Sequence, residues 1–514
     1  MIKSDNLIPL VGGAYQARSK ISNYEICENL FPEINPQETE APTPVTHYPR
    51  EGKRPLSAPP VQGGGRGIFT LSNGALYAVV GPYVYAIDQN WEWTQIGQIS
   101  NATNPVSMSD NGTTAVLVDG SAQGYSIAMA GNAFGPIVDD TGTFLGAVRA
   151  DFSDTYFAFN QPGTNGWIVS LSNQVAFNAL VVANADAKPD PIVTLAFNIR
   201  QMWLIKALST EVWYLAGSTP FPYQGWPNIF IPYGCAAAYS LVQADVDLFW
   251  LARNPQGQSI AVQTKGYGVE AISTRALEYE WSTYRTVADC IGGTFQQGGH
   301  TFIIFHFPTA DKTWCYDLAT KQWHRRTWVD QNGSSHRERT AFYASVGPQG
   351  GYQTTIVGQD WATGQIYALD PKFYTDNGSP IVFKRTFPHV MKDMRFITHV
   401  SFIADFETGG IQGDGVIPGS LNDFNNDYGG DFGPNNLGPQ AASPPSLSLR
   451  YSDDGGNRWS NFREKPLLSS GKYRAMLRWR GLGMARDRVY ELSWSYNGPS
   501  ALQGAYLEPL EHGS

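Results

Sequence analysis

Charged side chains are scarce in this chain of 514 residues, of which only 16% are Asp, Glu, Lys or Arg, against roughly 25% in typical globular proteins. Coiled coils, helical bundles and long disordered chains need many more charges, so the composition argues against all three. No apolar run approaches the ~18 residues that span a bilayer, and the longest candidate, residues 301–307, has the length of a strand. We therefore expect no membrane insertion and no cleaved signal peptide.

Cysteine is equally sparse, with four residues that are widely spaced and form no CxxC pair: Cys27, Cys235, Cys290 and Cys315. This spacing excludes a zinc finger and a disulfide scaffold, and it predicts reduced, buried thiols. The formal net charge of −9 and the pI of about 5.4 disfavour a general nucleic-acid binder.

Glycine (53 residues) and proline (33 residues) are abundant instead. Prolines crowd residues 1–66, where they prevent a continuous helix or central strand and predict an extended N-terminal arm that packs on another part of the structure. From residue 67 to 395, short apolar runs alternate with turn dipeptides, as in 75–80, Gly81-Pro82 and 83–87. Such recurring hairpins predict a mainly β fold, an irregular β-propeller, with a large sandwich as the other possibility.

Residues 396–514 predict a smaller, sandwich-like β unit that contains an insert rich in Gly, Asn, Asp and Pro at 409–445. The charge is unevenly distributed here. Residues 396–449 hold six acidic side chains and no Lys or Arg, whereas residues 450–488 hold ten basic and four acidic side chains, a net charge of +6. Such asymmetry indicates surfaces that meet different neighbours.

One short motif resembles the Asp-box, Ser-x-Asp-x-Gly-x-Thr-Trp. Its members are Ser452, Asp454, Gly456 and Trp459, with Arg458 in place of the threonine. We expect a tight hairpin in which Asp454 accepts turn amides, Gly456 permits a positive φ and Trp459 packs beneath the loop. Asp-boxes recur in sialidase propellers, so a glycan-binding or glycan-cleaving propeller is an alternative, although the motif is structural even there.

The insert matches the opening of a calcium-binding loop, with oxygen ligands at the alternate positions Asp423, Asn425 and Asp427. The required glycine falls one place late, at Gly429, and Pro434 stands where a bidentate glutamate is needed. A solvated loop is the favoured interpretation.

The chain also has no GxxxxGK[ST], HExxH, GxSxG or strand-to-helix GxGxxG motif. We therefore predict no catalytic, cofactor-binding or metal-binding residues, and no enzymatic activity.

A cluster of arginines is more informative, and its candidate interface residues are Arg478, Trp479, Arg480, Arg486 and Arg488. Arginine forks suit phosphates, and they equally suit carboxylates of a neighbouring subunit. Arginine is used here almost to the exclusion of lysine, and interface cores are enriched in arginine and depleted in lysine. A subunit or adaptor interface is the hypothesis that this composition favours.

Four segments together resemble one known family, the tail hub or nozzle proteins of short-tailed bacteriophages, also called packaged-DNA stabilisation proteins. The segments span most of the chain in family order. They are Asn-Leu-Phe-Pro-Glu at 29–33; Ser-Thr-Glu-Val-Trp-Tyr-Leu-Ala-Gly at 209–217, with 221–223, 234–236 and Ser240; Leu-Phe-Trp-Leu at 248–251, with Gly257, Gly266 and 272–274; and Tyr-Ser-Asp-Asp-Gly-Gly at 451–456, with Trp459, 478–483 and 486–488. The departures are Arg458 and the insert at 409–445.

The resemblance implies a non-enzymatic component of the virion tail. Such proteins form a ring of six, a homohexamer, below the portal and its head-to-tail adaptor. The ring surrounds a channel that retains the genome and later conducts double-stranded DNA, and a tail needle or plug, fibres or tailspikes attach to it. We expect the arm and the C-terminal β unit to lie together on the adaptor side. A solitary cell-surface propeller is a further alternative, although it has no role for the proline-rich arm.

Overall fold

Short antiparallel strands dominate the structure, a computed structural model that describes residues 8–10, 15–35, 45–393, 395–408, 446–467 and 473–511. The chain forms two units. Residues 53–370 are called the propeller unit below, and residues 1–52 together with 371–514 are called the sandwich unit. The predicted fold class, a β-propeller with a smaller sandwich-like unit, is confirmed.

The propeller unit contains seven antiparallel sheets, which we number as blades 1 to 7 in chain order, and each has a core of four strands. Blade 5 is irregular because two short segments share the place of its first strand. The strands are Gly65–Thr70, Leu76–Val80, Tyr83–Ile87 and Trp93–Gln98 in blade 1; Ser107–Asp110, Thr114–Val118, Tyr125–Ala128 and Ala133–Pro136 in blade 2; Ala150–Ser153, Tyr156–Asn160, Gly166–Val169 and Val182–Asn184 in blade 3; Ile192–Asn198, Gln201–Lys206, Thr210–Leu215 and Tyr223–Gly225 in blade 4; Gly234–Cys235, Val242–Ala244, Asp247–Arg253, Ser259–Lys265 and Gly268–Ala271 in blade 5; Ile291–Gln297, His300–Phe307, Lys312–Asp317 and Gln322–Arg325 in blade 6; and Thr340–Val346, Thr355–Asp360, Ile366–Asp370 and Gly52–Ser57 in blade 7.

Apolar side chains fill the seams between neighbouring blades. Strand Leu76–Val80 is buried at every position, because one of its faces packs on blade 2 and the other on blade 7. Such double burial explains why the central strands are continuous apolar runs instead of an alternation of apolar and polar residues. Six of the seven seams in this fully described unit hold a buried apolar cluster.

The seam between blades 7 and 1 also depends on a very close approach of two backbones. A Cβ atom added at Gly65 would lie 2.4 Å from the carbonyl oxygen of Asp360, so only glycine fits there. Beside it, the Gln359 side chain joins the blades: its Oε1 accepts from the Gly67 amide at 3.1 Å, and its Nε2 donates to the Val79 carbonyl at 3.1 Å.

The seam between blades 6 and 7 is polar. Strand Gly52–Ser57, here called the closing strand, comes from the start of the chain and completes blade 7. Its Lys53 Nζ lies 2.8 Å from Glu338 Oε1, with both side chains fully buried. The Tyr343 hydroxyl donates to Glu338 Oε2 at 3.2 Å, and Arg326 Nη1 lies 3.5 Å from Glu338 Oε1. A buried carboxylate thus ties the closing strand to both blades.

Helical structure is confined to short connections in the described ranges. The α-helix Arg275–Ser282 links blades 5 and 6, and its first turn is capped by the Thr274 hydroxyl, which accepts from the Leu277 amide. Two 3₁₀ turns span Ala238–Ser240 and Pro348–Gly350, and a small hairpin pairs Thr327–Val329 with Ser335–Arg337. Within the described ranges, no helix combines the length and the apolar character that crossing a membrane requires.

Two sheets face each other in the sandwich unit, and both ends of the chain contribute strands to them. Phe406 of the first sheet packs edge-on against Trp494 of the second, with ring centroids 5.0 Å apart, in a continuous buried core. The first sheet contains Ile8–Pro9, Leu30–Ile34, Val45–Pro49, Ile397–Thr408, Arg474–Arg480, Met484–Ala485 and Ser500–Glu511; the second contains Cys27–Glu28, Phe383–Thr386, Val390–Met391, Ser446–Ser452, Arg463–Pro466 and Asp487–Trp494. A short hairpin, Thr375–Asp376 with Ser379–Pro380, also belongs to this unit.

The N-terminal segment is held in this unit by buried polar contacts. Asn29 adopts a left-handed conformation, with φ of +59°, which asparagine tolerates. Its side chain accepts from Arg50 Nε at 2.8 Å and donates to the Val382 carbonyl at 2.8 Å. Arg50 also pairs with the buried Asp376, with 3.0 Å between Nη1 and Oδ1. Residues 27–35 and 45–52 are therefore an ordered part of the sandwich unit.

The unit boundaries fall at other positions than the sequence suggests. The propeller unit begins at residue 53 instead of 67, because the closing strand is drawn from the predicted arm. It ends at residue 370 instead of 395, because strand Phe383–Thr386 pairs with Asp487–Trp494 inside the sandwich unit. Both differences come from pairing between residues that are far apart in sequence, which local patterns do not reveal.

We predict that Lys53→Met lowers the free energy of unfolding of the propeller unit by about 3–5 kcal/mol, because it leaves the buried Glu338 carboxylate without its closest cation. Arg54→Met in the same strand is the matched control, since the Arg54 side chain is 48% exposed and its surface ion pair contributes under ~1 kcal/mol. Calorimetric unfolding of the full chain measures both. Equal stability of the two variants would contradict a closing role for Lys53.

Candidate functional site

Residues of the types that commonly bind metals or catalyse reactions lie in separate structural settings. Across the described ranges, no three His, Cys, Asp or Glu side chains form a group that could hold a metal ion. The four cysteines are buried and form no disulfide, and burial raises the pKa of Cys27 to about 11, so its thiol stays protonated at neutral pH. His300 and His306 share a strand but bind different partners, Asp317 and Thr313. Asp423, Asn425 and Asp427 lie outside the described residues.

The Asp-box-like motif forms a tight hydrogen-bonded turn. The Ser452 hydroxyl donates to Asp454 Oδ1 and accepts from the Gly456 amide, both at 2.8 Å. The same Asp454 oxygen accepts from the amides of Arg458 at 2.8 Å and Asn457 at 3.0 Å. The backbone bond from Arg458, followed by the bond from Ser452, lowers the pKa of Asp454. Gly456 has φ of +88°, a conformation that a side chain would strain.

Trp459 packs beside this turn and is half-buried. Its ring lies 6.2 Å from the ring of Tyr24 and carries the Arg450 guanidinium 4.5 Å above it. Arg450 also lies 4.9 Å from the Phe462 ring, and its Nε donates to Glu491 Oε1 at 2.6 Å. The sequence analysis missed this stacked arginine. Trp459 and Phe462 lie nine and twelve residues after Arg450 in the sequence, so no local pattern indicated that their rings pack on its guanidinium.

Two of the five candidate interface residues are buried within the sandwich unit. The Trp479 side chain is 3% exposed in the core, and its Nε1 donates to the Arg463 carbonyl at 2.9 Å. Arg488 is 2% exposed, pairs with Asp453 through Nη2 and Oδ2 at 2.8 Å, and covers the Tyr451 ring at 3.9 Å. Both side chains are therefore enclosed by their own chain and are not part of its exposed surface.

The other three candidates, Arg478, Arg480 and Arg486, are exposed. Arg478 Nη1 lies 3.5 Å from Glu508 Oε2, a loose surface pair. The Arg486 guanidinium stacks 4.6 Å above the ring of Phe396, which is itself 51% exposed. Within the described part of the chain, neither Arg480 nor Arg486 has a carboxylate at ion-pair distance. Neither positive charge is therefore neutralised by a carboxylate of the described residues.

Strand Arg474–Arg480 places these charges along an edge. Its residues alternate between an inward row that includes Trp479 and an outward row. The outward row consists of Arg474, Met476, Arg478 and Arg480. The strand pairs with Ile397–Thr408 on one side, and its other side has no partner strand among the described residues. With Lys465, it lines an open groove of about 510 Å³. We call Arg474, Arg478, Arg480 and Arg486 the arginine surface.

Comparison with known proteins gives one family. A family model described as "Bacteriophage P22 Gp10, beta-propeller" matches residues 7–374, which is more than half of the chain. The chain belongs to this bacteriophage family. The resemblance to packaged-DNA stabilisation proteins is thereby confirmed, and the match covers the whole propeller unit.

As a member of this phage family, the protein is a structural component of the virion. The family match ends at residue 374, so the Asp-box-like turn and the arginine surface lie beyond it. No curated protein matches the chain. Among solved structures, the WD40 β-propeller domain of Doa1 is similar at 7% sequence identity and a TM-score of 0.37, over 62% of this chain and 97% of that chain. A similarity of that size adds nothing to the family assignment.

We predict that Asp454→Ala lowers the melting temperature of this phage protein, because the turn amides of Asn457 and Arg458 lose their acceptor. Asp454→Asn retains one side-chain oxygen and should melt between the wild type and Asp454→Ala. Because the folded-state pKa of Asp454 is lowered, the stabilisation is present above its unfolded pKa and is lost as the pH falls through the folded value. Melting curves of the three proteins from pH 7 to pH 3 test this, and a difference that persists unchanged at pH 3 would contradict it.

Proposed function

We propose that this protein is a tail-hub subunit whose copies form a ring of six below the portal and its head-to-tail adaptor. In this role the ring retains the packaged genome, forms the channel for its ejection, and anchors accessory proteins such as a needle or plug, fibres or tailspikes. The observation that carries the proposal is the family match over residues 7–374, which includes all seven blades.

The arginine surface supports a subunit or adaptor interface. An exposed strand edge invites pairing with another chain, and proteins usually cover or protect such edges. Arg480 and Arg486 bring positive charge to this edge, while the chain outside residues 450–488 has a net charge of −15, which is −9 minus +6. Opposite charges on the two sides of a contact accelerate association and select the correct partner.

The overall acidity supports a channel through which DNA slides. Each phosphate that a protein neutralises adds a salt-dependent contribution to affinity, so a channel that must release its DNA should make few such contacts. A net charge of −9 fits this requirement. The arginine surface is accordingly proposed to contact protein, and not the transported DNA.

The glycan-cleaving alternative receives less support from the turn that suggested it. The Asp454 carboxylate already accepts two backbone amides and a hydroxyl, and it forms part of a structural turn. Glycoside hydrolysis needs a pair of carboxylates, or a tyrosine nucleophile, at the scissile bond. An array of host polysaccharides that shows hydrolysis would restore this alternative.

We predict that the double variant Arg480→Ala/Arg486→Ala weakens ring assembly, because it removes the two arginines of the surface that have no carboxylate at ion-pair distance among the described residues. Interface hot-spot arginines contribute more than ~1 kcal/mol each. Loss of both, at ~2 kcal/mol or more, should therefore raise the protein concentration that rings require by roughly thirtyfold or more. Native mass spectrometry over a concentration series measures the population of rings directly.

The matched control is Arg200→Ala/Arg275→Ala, which removes two arginines of the propeller unit whose side chains are 76% and 87% exposed. It has the same change in net charge and should assemble like the wild type. Normal rings and normal docking to the adaptor by Arg480→Ala/Arg486→Ala would overturn the assignment of the interface, while leaving the family membership intact.

A further inference from the structure

Blade 4 carries a row of polar and aromatic side chains that the apolar core does not use. Gln201, Tyr214 and Gln224 lie directly opposite one another on three adjacent strands. Side chains in such register stand side by side on one face of the sheet. The Tyr214 hydroxyl and Gln224 Oε1 are 3.2 Å apart. The ring of Trp226, two residues after Gln224, packs 4.6 Å from the Tyr214 ring at an angle of 42°.

Blade 5 adds a third ring to this row. Tyr267 lies in the turn between Ser259–Lys265 and Gly268–Ala271, and its ring centroid is 6.0 Å from that of Trp226. Its hydroxyl accepts a hydrogen bond from Gln201 Nε2 at 2.8 Å. We call Gln201, Tyr214, Gln224, Trp226 and Tyr267 the aromatic platform.

The aromatic platform is both exposed and fixed in place. Trp226 is 37% exposed and Tyr267 is 49% exposed, and neither belongs to any of the buried clusters of the propeller unit. Each ring is nevertheless held by stacking or by a hydrogen bond to a side-chain amide. Exposed aromatic groups that are held in one arrangement lose little conformational freedom when a ligand binds, which favours binding.

The charges that flank the platform are paired with each other. Arg200, next to Gln201, lies 2.6 Å from Asp154. Lys265, two residues before Tyr267, lies 2.7 Å from Glu270. The platform therefore offers a ligand aromatic faces and amide groups, and no uncompensated charge from these neighbours.

We propose that the aromatic platform binds an uncharged oligosaccharide. The C–H groups on one face of a sugar ring carry slight positive charge and pack on the negative face of an aromatic ring. The hydroxyl groups at the sugar's rim match the amides of Gln201 and Gln224, which both donate and accept. The tilts of 42° and 53° between successive rings suit a chain that bends from one sugar to the next.

A protein partner fits the platform less well than a saccharide. Protein hot spots are surrounded by contacts that exclude water, and an amide buried there without a partner costs about 1–3 kcal/mol. In the platform, amides alternate with rings along the row, so a partner must supply hydroxyl or amide groups at that same spacing. A saccharide presents such groups at every residue.

The test is an array of purified neutral and acidic bacterial polysaccharides, probed with the full-length protein. We expect the wild type to bind at least one neutral polysaccharide, and Trp226→Ala and Tyr267→Ala to bind it roughly tenfold more weakly or not at all. Tyr279→Ala is the matched control, since Tyr279 is a 42% exposed tyrosine on the helix Arg275–Ser282, and it should bind like the wild type. If a ring variant fails to fold, Gln224→Ala replaces it in the test. Gln224 is at an exposed position, and its substitution should also weaken polysaccharide binding.

Several results would overturn the proposal. These are no binding of the wild type to any neutral polysaccharide, binding confined to acidic polysaccharides, and equal binding by the wild type and the platform variants. If Trp226→Ala and Tyr267→Ala instead lose a virion protein while polysaccharide binding is unchanged, the platform is a protein contact. None of these outcomes bears on ring assembly, so the proposed hub function is tested separately.

Discussion

The rest of the structure depends on one constraint, the closure of the propeller by a strand from the start of the chain. The buried ion pair of Lys53 and Glu338 lies at this point of closure. Because blade 7 takes its last strand from residues 52–57, the chain enters and leaves the propeller through one blade. The segments before and after it thereby belong to one unit, and both contribute strands to the sandwich sheets. The pairing of this one strand thus determines which of the described segments form each unit.

The closure also explains the unusual chemistry of one seam. The other six seams hold buried apolar clusters, whose contact is not directional. The seam between blades 6 and 7 instead holds Lys53, Arg326, Glu338 and Tyr343, whose contacts require one geometry. Buried ion pairs are weak evidence for stability. Here the pair joins the closing strand to the segment that precedes strand Thr340–Val346.

Local sequence patterns were sufficient to predict the β class, the hairpins and the turn at Asp454, because turn dipeptides and short apolar runs determine structure over only a few residues. They were insufficient where distant residues meet. Gly65 lies at the end of the predicted extended arm, yet the carbonyl of Asp360 is what requires a glycine there. Trp479 and Arg488 fit an interface composition but are buried by their own unit. The row of Gln201, Tyr214 and Gln224 is invisible in sequence, since register alone brings it together.

The central claim is that this phage structural protein is a ring-forming hub. Single-particle imaging of the purified protein mixed with portal and adaptor tests this claim most directly. The account predicts rings of six copies docked on the adaptor, in which strand Arg474–Arg480 is covered by a neighbouring chain. Isolated single copies that bind neither portal nor adaptor, with that strand edge exposed to solvent, would contradict it.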